Sequence, residues 1–157
     1  GRMEAFSSAG KPTAVVDYAH TPDALASALD ACRLHCQGQL WVVFGCGGDR
    51  DVGKRALMAK VAEEKADQLI ITNDNPRSEA PEAIAGDIMS GLRQPERAKK
   101  ILDRKSAILS ALQNAQPNDV ILCAGKGHED YIIMGTEKHH YDERAVVSGF
   151  YTTEVVL

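Results

Sequence analysis

A chain of 157 residues with 44% apolar side chains has the size and composition of one globular domain with a core of its own. Its net charge of −4 and its 5% aromatic content argue against a nucleic-acid surface, which needs a basic face or stacking platforms. The longest apolar runs are about five or six residues, against the roughly 20 that cross a bilayer, and residues 1–12 hold no apolar segment of signal-peptide length. No membrane contact is expected.

Strand and helix patterns alternate along the chain. TAVVDY (13–18) reads as a first strand, and Thr21 then caps a helix with Pro22 at its first position and Asp23 in its first turn. Leu25, Ala28, Leu29 and Cys32 give that helix one apolar face. LWVVFG (40–45) is a second strand, followed by a helix over about 53–65 with Leu57, Met58, Val61 and Ala62 inward. QLIITN (68–73) is a third strand, and a helix runs from Pro81 to about Leu92. KIL (100–102) is a short fourth strand before a helix over about 104–115. VILCA (120–124) is the fifth strand. YIIM (131–134) follows too soon for a crossover helix, which predicts an antiparallel last strand. The tail from Asp142 suggests a helix through Val147, and TTEVVL has no assignment.

Strands separated by helical stretches of this length predict an α/β fold: a doubly wound, Rossmann-like, mostly parallel sheet of about six strands, the last one antiparallel. Residues 1–157 read as a single domain without internal repeats. Of the four cysteines, none forms a C-x-x-C pair, and Cys32 and Cys36 have no matching pair elsewhere. Reduced, partly buried thiols of a cytoplasmic protein are expected rather than a metal site.

In such a sheet ligands bind outside the carboxyl ends of the strands. Each predicted strand here opens into polar residues: Asp17 to His20, Gly47 to Asp51, Asn73 to Arg77, Asp103-Arg104, and Gly125 to Asp130. The opposite ends carry ordinary turn residues such as Gly38, Asp67 and Pro117-Asn118-Asp119. Within FGCGGDRDVGKRALM (44–58), Gly48, Gly53 and Lys54 have the spacing G-x-x-x-x-G-K, but Arg55 stands where a phosphate loop needs Ser or Thr. Asp49 and Asp51 would also repel phosphate.

Arg50, by contrast, suits a carboxylate, or else stiffens its loop by pairing with Asp49 or Asp51. In Asp74-Asn75-Pro76-Arg77 the proline restricts the backbone and presents Arg77 in one direction, unless the four residues are a plain turn. Gly125-Lys126-Gly127-His128-Glu129 lets the backbone approach a ligand and adds a carboxylate. Arginines for carboxylates, with Glu129 or Asp74 for an ammonium, make an amino-acid pocket by charge matching. No nucleophile beside a base is evident, so no catalytic residue is assigned.

GRMEAF, VDYAHTPDAL, FGCGGDRDVGKR, DNPRSE and AGKGHEDY, in this order and roughly this spacing, resemble the carboxy-terminal domain of the Mur ligases over nearly the whole chain. DNPR is similar to the diaminopimelate-adding branch. The resemblance implies that Arg50, Asp74, Asn75, Pro76, Arg77, Gly125 and Glu129 surround meso-diaminopimelate, with Arg77 meeting the carboxylate that lysine lacks. It also implies that Arg2, Asp17 and His20 approach the nucleotide. ATP and Mg2+ would be bound mainly by a central ATPase domain, which, like the amino-terminal UDP-sugar domain, is absent from these residues. That central domain, the UDP-MurNAc dipeptide and ATP are the implied partners. The complete enzyme would phosphorylate the D-glutamyl side-chain carboxylate, and the amine held here would attack it. Alone, the domain is expected to be inactive, with nothing tightly bound. A sibling Mur or folylpolyglutamate-type ligase domain for another amino acid, and a free-standing nucleotide-binding α/β module, are the competing readings.

Overall fold

Short apolar runs form the central strands, and their alternation builds two cores. In the computed structural model, which describes residues 3–152, the order is β1 (Glu4–Phe6), β2 (Thr13–Asp17), α1 (Pro22–Leu34), β3 (Leu40–Phe44), α2 (Gly53–Lys65), β4 (Gln68–Ile71), α3 (Pro81–Met89), β5 (Ala98–Lys100), α4 (Arg104–Asn114), β6 (Val120–Ala124), β7 (Tyr131–Met134), β8 (Glu137–His140) and α5 (Glu143–Thr152). Six strands form one sheet in the order β1-β2-β6-β3-β4-β5. All its pairings are parallel except β1 with β2.

Successive residues of each strand enter opposite cores, as the two-residue period requires. Val15, Val42, Phe44, Leu69, Ile71 and Leu122 pack with α1, α2 and α3. Val16, Trp41, Val43, Ile70 and Ile121 pack on the other face with Ile108, Leu112 and Val147 from α4 and α5. Each fully buried Leu or Ile contributes about 1.5–3 kcal/mol by leaving water. α1 and α4 start at side-chain caps. Thr21 Oγ1 accepts from the Ala24 amide at 3.1 Å, and Asp103 Oδ2 from the Ser106 amide at 3.0 Å.

Several expectations are corrected. The sheet has six strands and is mostly parallel, but its antiparallel member is the first strand, not the last. YIIM leaves the sheet and pairs antiparallel with β8 in a separate two-stranded ribbon. The fourth predicted strand lies two residues earlier, at Ala98–Lys100, paired with β4. Leu57 points to solvent at 54% exposure, and the buried face of α2 carries Arg55, Met58, Ala59 and Ala62. The last helix extends to Thr152.

The crossovers from β2 through β5 run in one direction across the sheet, and α4 carries the chain back to place β6 between β2 and β3. The carboxyl ends of β3, β4 and β6 therefore open onto one crevice. At the amino ends the acids serve the scaffold. Asp119 accepts from the Gln39 amide and Trp41 Nε1, and Asp67 from the Leu40 amide.

Candidate amino-acid pocket

Four loops meet at that crevice. The loop after β3 needs glycine twice: a Cβ at Gly45 would collide with the Thr72 carbonyl, and one at Gly48 with the Pro76 carbonyl. This contact lets the Gly48 amide donate to the Asn75 carbonyl at 2.8 Å, while the Gly48 carbonyl accepts from Arg77 Nη1 at 3.0 Å. Arg77 itself has φ 53°, a left-handed backbone rare outside glycine. The β7–β8 ribbon holds it there: the Arg77 amide donates to Ile133, and the Gly135 amide donates to Arg77. Asp49, at φ 56°, accepts from the Ser78 hydroxyl and amide, joining the same two loops again.

The resulting pocket has a volume of about 300 Å³. Arg50, Lys54 and Arg77 bring positive charge to it, and Asp74, Glu129 and Asp51 bring negative charge. Asn75, Gly125, Tyr18 and His20 complete the polar lining. Six of the seven residues expected around an amino acid thus line one pocket. Pro76 does not line it; its carbonyl accepts from the Glu79 amide and closes the turn. Arg50 is exposed and donates to the main-chain carbonyl of Asp49 at 3.2 Å, so it is not paired with the Asp49 or Asp51 carboxylate.

The residues expected near nucleotide sit to one side. Asp17 and His20 line a second cleft with Met3, Tyr18 and Ala24, about 320 Å³ in volume, and His20 belongs to both cavities. Asp17 Oδ2 accepts from the Ala19 amide at 2.9 Å, and His20 Nδ1 lies 2.9 Å from the Tyr18 carbonyl. Arg2 lies outside the described residues.

Within residues 44–58 several of the amides that a phosphate loop would offer are already committed. Asp49 donates to Glu79, Gly53 to the Asp51 carboxylate, Lys54 to the Asp51 carbonyl and Arg55 to the Val52 carbonyl. Arg55 turns inward, where its guanidinium meets Glu79, Asp87 and the Gly47 carbonyl. This segment is a loop braced by Glu79 and by its own hydrogen bonds.

Three residues of the site escaped sequence reasoning. Tyr18 stands beside Glu129, and burial, then the Glu129 charge and hydrogen bond, raise its hydroxyl pKa. Lys54 lines the pocket from the first turn of α2. Lys126 is wholly buried behind the pocket, against Asp74, Asn75 and Glu129. A lysine between two glycines after a buried strand was the available signal for it. Arg104, which had no functional reading, is also buried. It pairs with Glu143 and donates to the carbonyls of Asn73 and Ala124, the residues just before Asp74 and Gly125.

Residues 1–127 match the family model described as Mur ligase, glutamate ligase domain. Among solved structures, the chain is similar to a UDP-N-acetylmuramoyl-L-alanyl-D-glutamate–2,6-diaminopimelate ligase at 43% identity and a TM-score of 0.91, over 96% of this chain and 31% of that one. It is similar to a ligand-free bifunctional folylpolyglutamate synthase/dihydrofolate synthase from Yersinia pestis at 25% identity and a TM-score of 0.62, over 80% of this chain and 28% of that one. A folylpolyglutamate synthase from Mycobacterium tuberculosis, at 23% identity and a TM-score of 0.56 over 80% of this chain and 29% of that one, shares the fold. The chain spans less than a third of the length of each.

Proposed function

The chain belongs to the Mur ligase family, of which it carries the glutamate ligase domain, and on that premise we propose that it binds and orients meso-diaminopimelate. The complete enzyme would be the ATP-dependent ligase that joins this amino acid to UDP-N-acetylmuramoyl-L-alanyl-D-glutamate in peptidoglycan synthesis (MurE). Residues 1–157 are then one domain of a longer cytoplasmic protein, which supplies an amino-terminal UDP-sugar domain and a central ATPase domain.

The observation that carries this reading is the charge layout of one pocket. Arg50, Lys54 and Arg77 offer cations, and Asp74 and Glu129 offer carboxylates, within about 300 Å³ at the switch point of the sheet. Diaminopimelate has two amino-acid ends, so it brings a carboxylate that lysine lacks. Arg77, fixed by its left-handed backbone and its bond to Gly48, is the residue we assign to that carboxylate. Facing lysine, its guanidinium would lose its partner at a cost on the order of 2–4 kcal/mol, a discrimination of about 100-fold or more.

The family uses ATP and Mg2+, and ATP activates the acceptor carboxylate. The amides of Gly48, Asp49, Gly53, Lys54 and Arg55 are already bonded within the protein, so the central domain would hold the triphosphate. On this chain Asp17, His20 and Arg2 are the residues we assign to the nucleotide side. Everything else the domain contributes is positioning: carboxylates of the amino acid on the arginines, one ammonium on Asp74 and Glu129, the other amine directed outward. Domain closure would bring that amine to the activated carboxylate.

The test is amide formation by the complete ligase with meso-diaminopimelate or L-lysine. A kcat/KM ratio of about 100 or more in favour of diaminopimelate is expected; equal use, or preference for lysine, overturns the assignment.

A further inference from the structure

We propose that Lys126 is a positioning residue that sets the geometry and net charge of the acidic wall, so that the pocket accepts a single substrate ammonium. This inference rests on the amino-acid-binding reading above. The Lys126 side chain has 0% exposure, so no ligand in the pocket touches it. Its Nζ nevertheless ends on three pocket groups: Asp74 Oδ1 at 2.9 Å, Asn75 Oδ1 at 2.8 Å and Glu129 Oε1 at 3.3 Å. An ammonium has three donors, and these three acceptors use them all.

The backbone drives the lysine inward. Gly125 and Gly127 flank it with φ of 114° and 52°, both in the left-handed region open to glycine. At Gly127 a Cβ would also press on Tyr18 at 2.9 Å. The Tyr131 ring lies 5.7 Å from Nζ, and the Ile133 amide donates to the same Asn75 oxygen at 2.8 Å. The lysine is therefore gripped by the two loops that carry the acids and by the β7–β8 ribbon.

A charge taken out of water at this depth persists only with partners. Here two carboxylates share one ammonium, which leaves a single net negative charge. That charge matches one substrate ammonium. Without Lys126 the two carboxylates would repel each other, and Asp74, Asn75 and Glu129 would lose their common anchor.

Steady-state kinetics of the complete ligase test this, with the amino acid, ATP and the UDP-linked acceptor varied in turn for Lys126→Met and Lys126→Gln. Both variants are expected to raise the KM for meso-diaminopimelate at least 10-fold and to change the other two KM values less than 2-fold. Adding Glu129→Gln to Lys126→Met restores the net charge, and the double variant is expected to fall well short of the product of the two single effects. A uniform rise of all three KM values, an unchanged KM for the amino acid, strict multiplicativity, or loss of folding in both single variants assigns Lys126 to the scaffold and overturns the inference. A wild-type enzyme that prefers L-lysine overturns only the diaminopimelate reading, and the Lys126 effect is then read with the preferred amino acid.

Discussion

Arg77 and Gly48 bind each other's loops at both ends of one glycine: Arg77 Nη1 donates to the Gly48 carbonyl at 3.0 Å, and the Gly48 amide donates to Asn75, two residues before Arg77. The guanidinium that would read a substrate carboxylate is thereby aimed by a neighbouring loop as well as by its own backbone. Selectivity and loop geometry become linked properties.

Removing the guanidinium should therefore remove the selectivity. Arg77→Ala is expected to lower kcat/KM for meso-diaminopimelate about 100-fold and to bring the ratio over L-lysine close to one. Arg77→Lys is expected to recover little, because an ammonium lacks the planar fork. Parallel assays with the two amino acids read both outcomes.

Gly48→Ala tests the contact between the loops without touching a charge. Its new Cβ would meet the Pro76 carbonyl, so the loops must separate. A loss of about 1–3 kcal/mol in denaturant unfolding is expected, together with a raised KM for the amino acid.

Glu79 gives the loop an acid-sensitive tie. Its hydrogen bond to Arg55, then the one from the Asp49 amide, lower its pKa from 4.5 to about 2. A carboxylate whose folded-state pKa is depressed stabilises the fold above its unfolded value, and that contribution is lost as pH falls from about 4.5 towards 2. Glu79→Gln should flatten the acid limb of stability in that window and leave the slope near pH 7 unchanged. Thermal melts across a pH series would show it.

Arg104 and Glu143 are both 0% exposed and meet at 2.6 and 2.9 Å. Arg104→Met would strand the Glu143 carboxylate beside Tyr141, whose hydroxyl donates to it at 2.7 Å. A cost of about 3–5 kcal/mol is expected. Adding Glu143→Leu should recover part of it, which a double-mutant cycle in urea measures. Because Arg104 also holds the Asn73 and Ala124 carbonyls, the single variant should weaken amino-acid binding too.

Much of the fold was legible because it is local. Pro22 after Thr21 marks the start of α1, and β2, β3, β4 and β6 are short apolar runs. YIIM was harder, since a strand's partner lies outside the strand. Its apolar run suits a sheet edge as well as it suits a ribbon with EKHH. Leu57, expected inward, faces solvent, and Arg55 is buried instead because Glu79 and Asp87, distant in sequence, provide the partners that let a guanidinium be buried.

The sequence by itself determined the alternating α/β layers and the gathering of polar residues at one end of the strands, which follow from side-chain periodicity and residue chemistry and need no knowledge of distance. Its resemblance to the Mur ligases pointed to the set Arg50, Asp74, Asn75, Pro76, Arg77, Gly125 and Glu129. Only the tertiary structure decided which of them share a pocket, that Asp17 opens onto a separate cleft, that the amides of Gly48, Asp49, Gly53, Lys54 and Arg55 are already used, and that Lys126 binds the two acids from behind. Most of those facts depend on contacts between loops 29 to 54 residues apart, where hydrogen-bond geometry, and not residue type, determines the outcome.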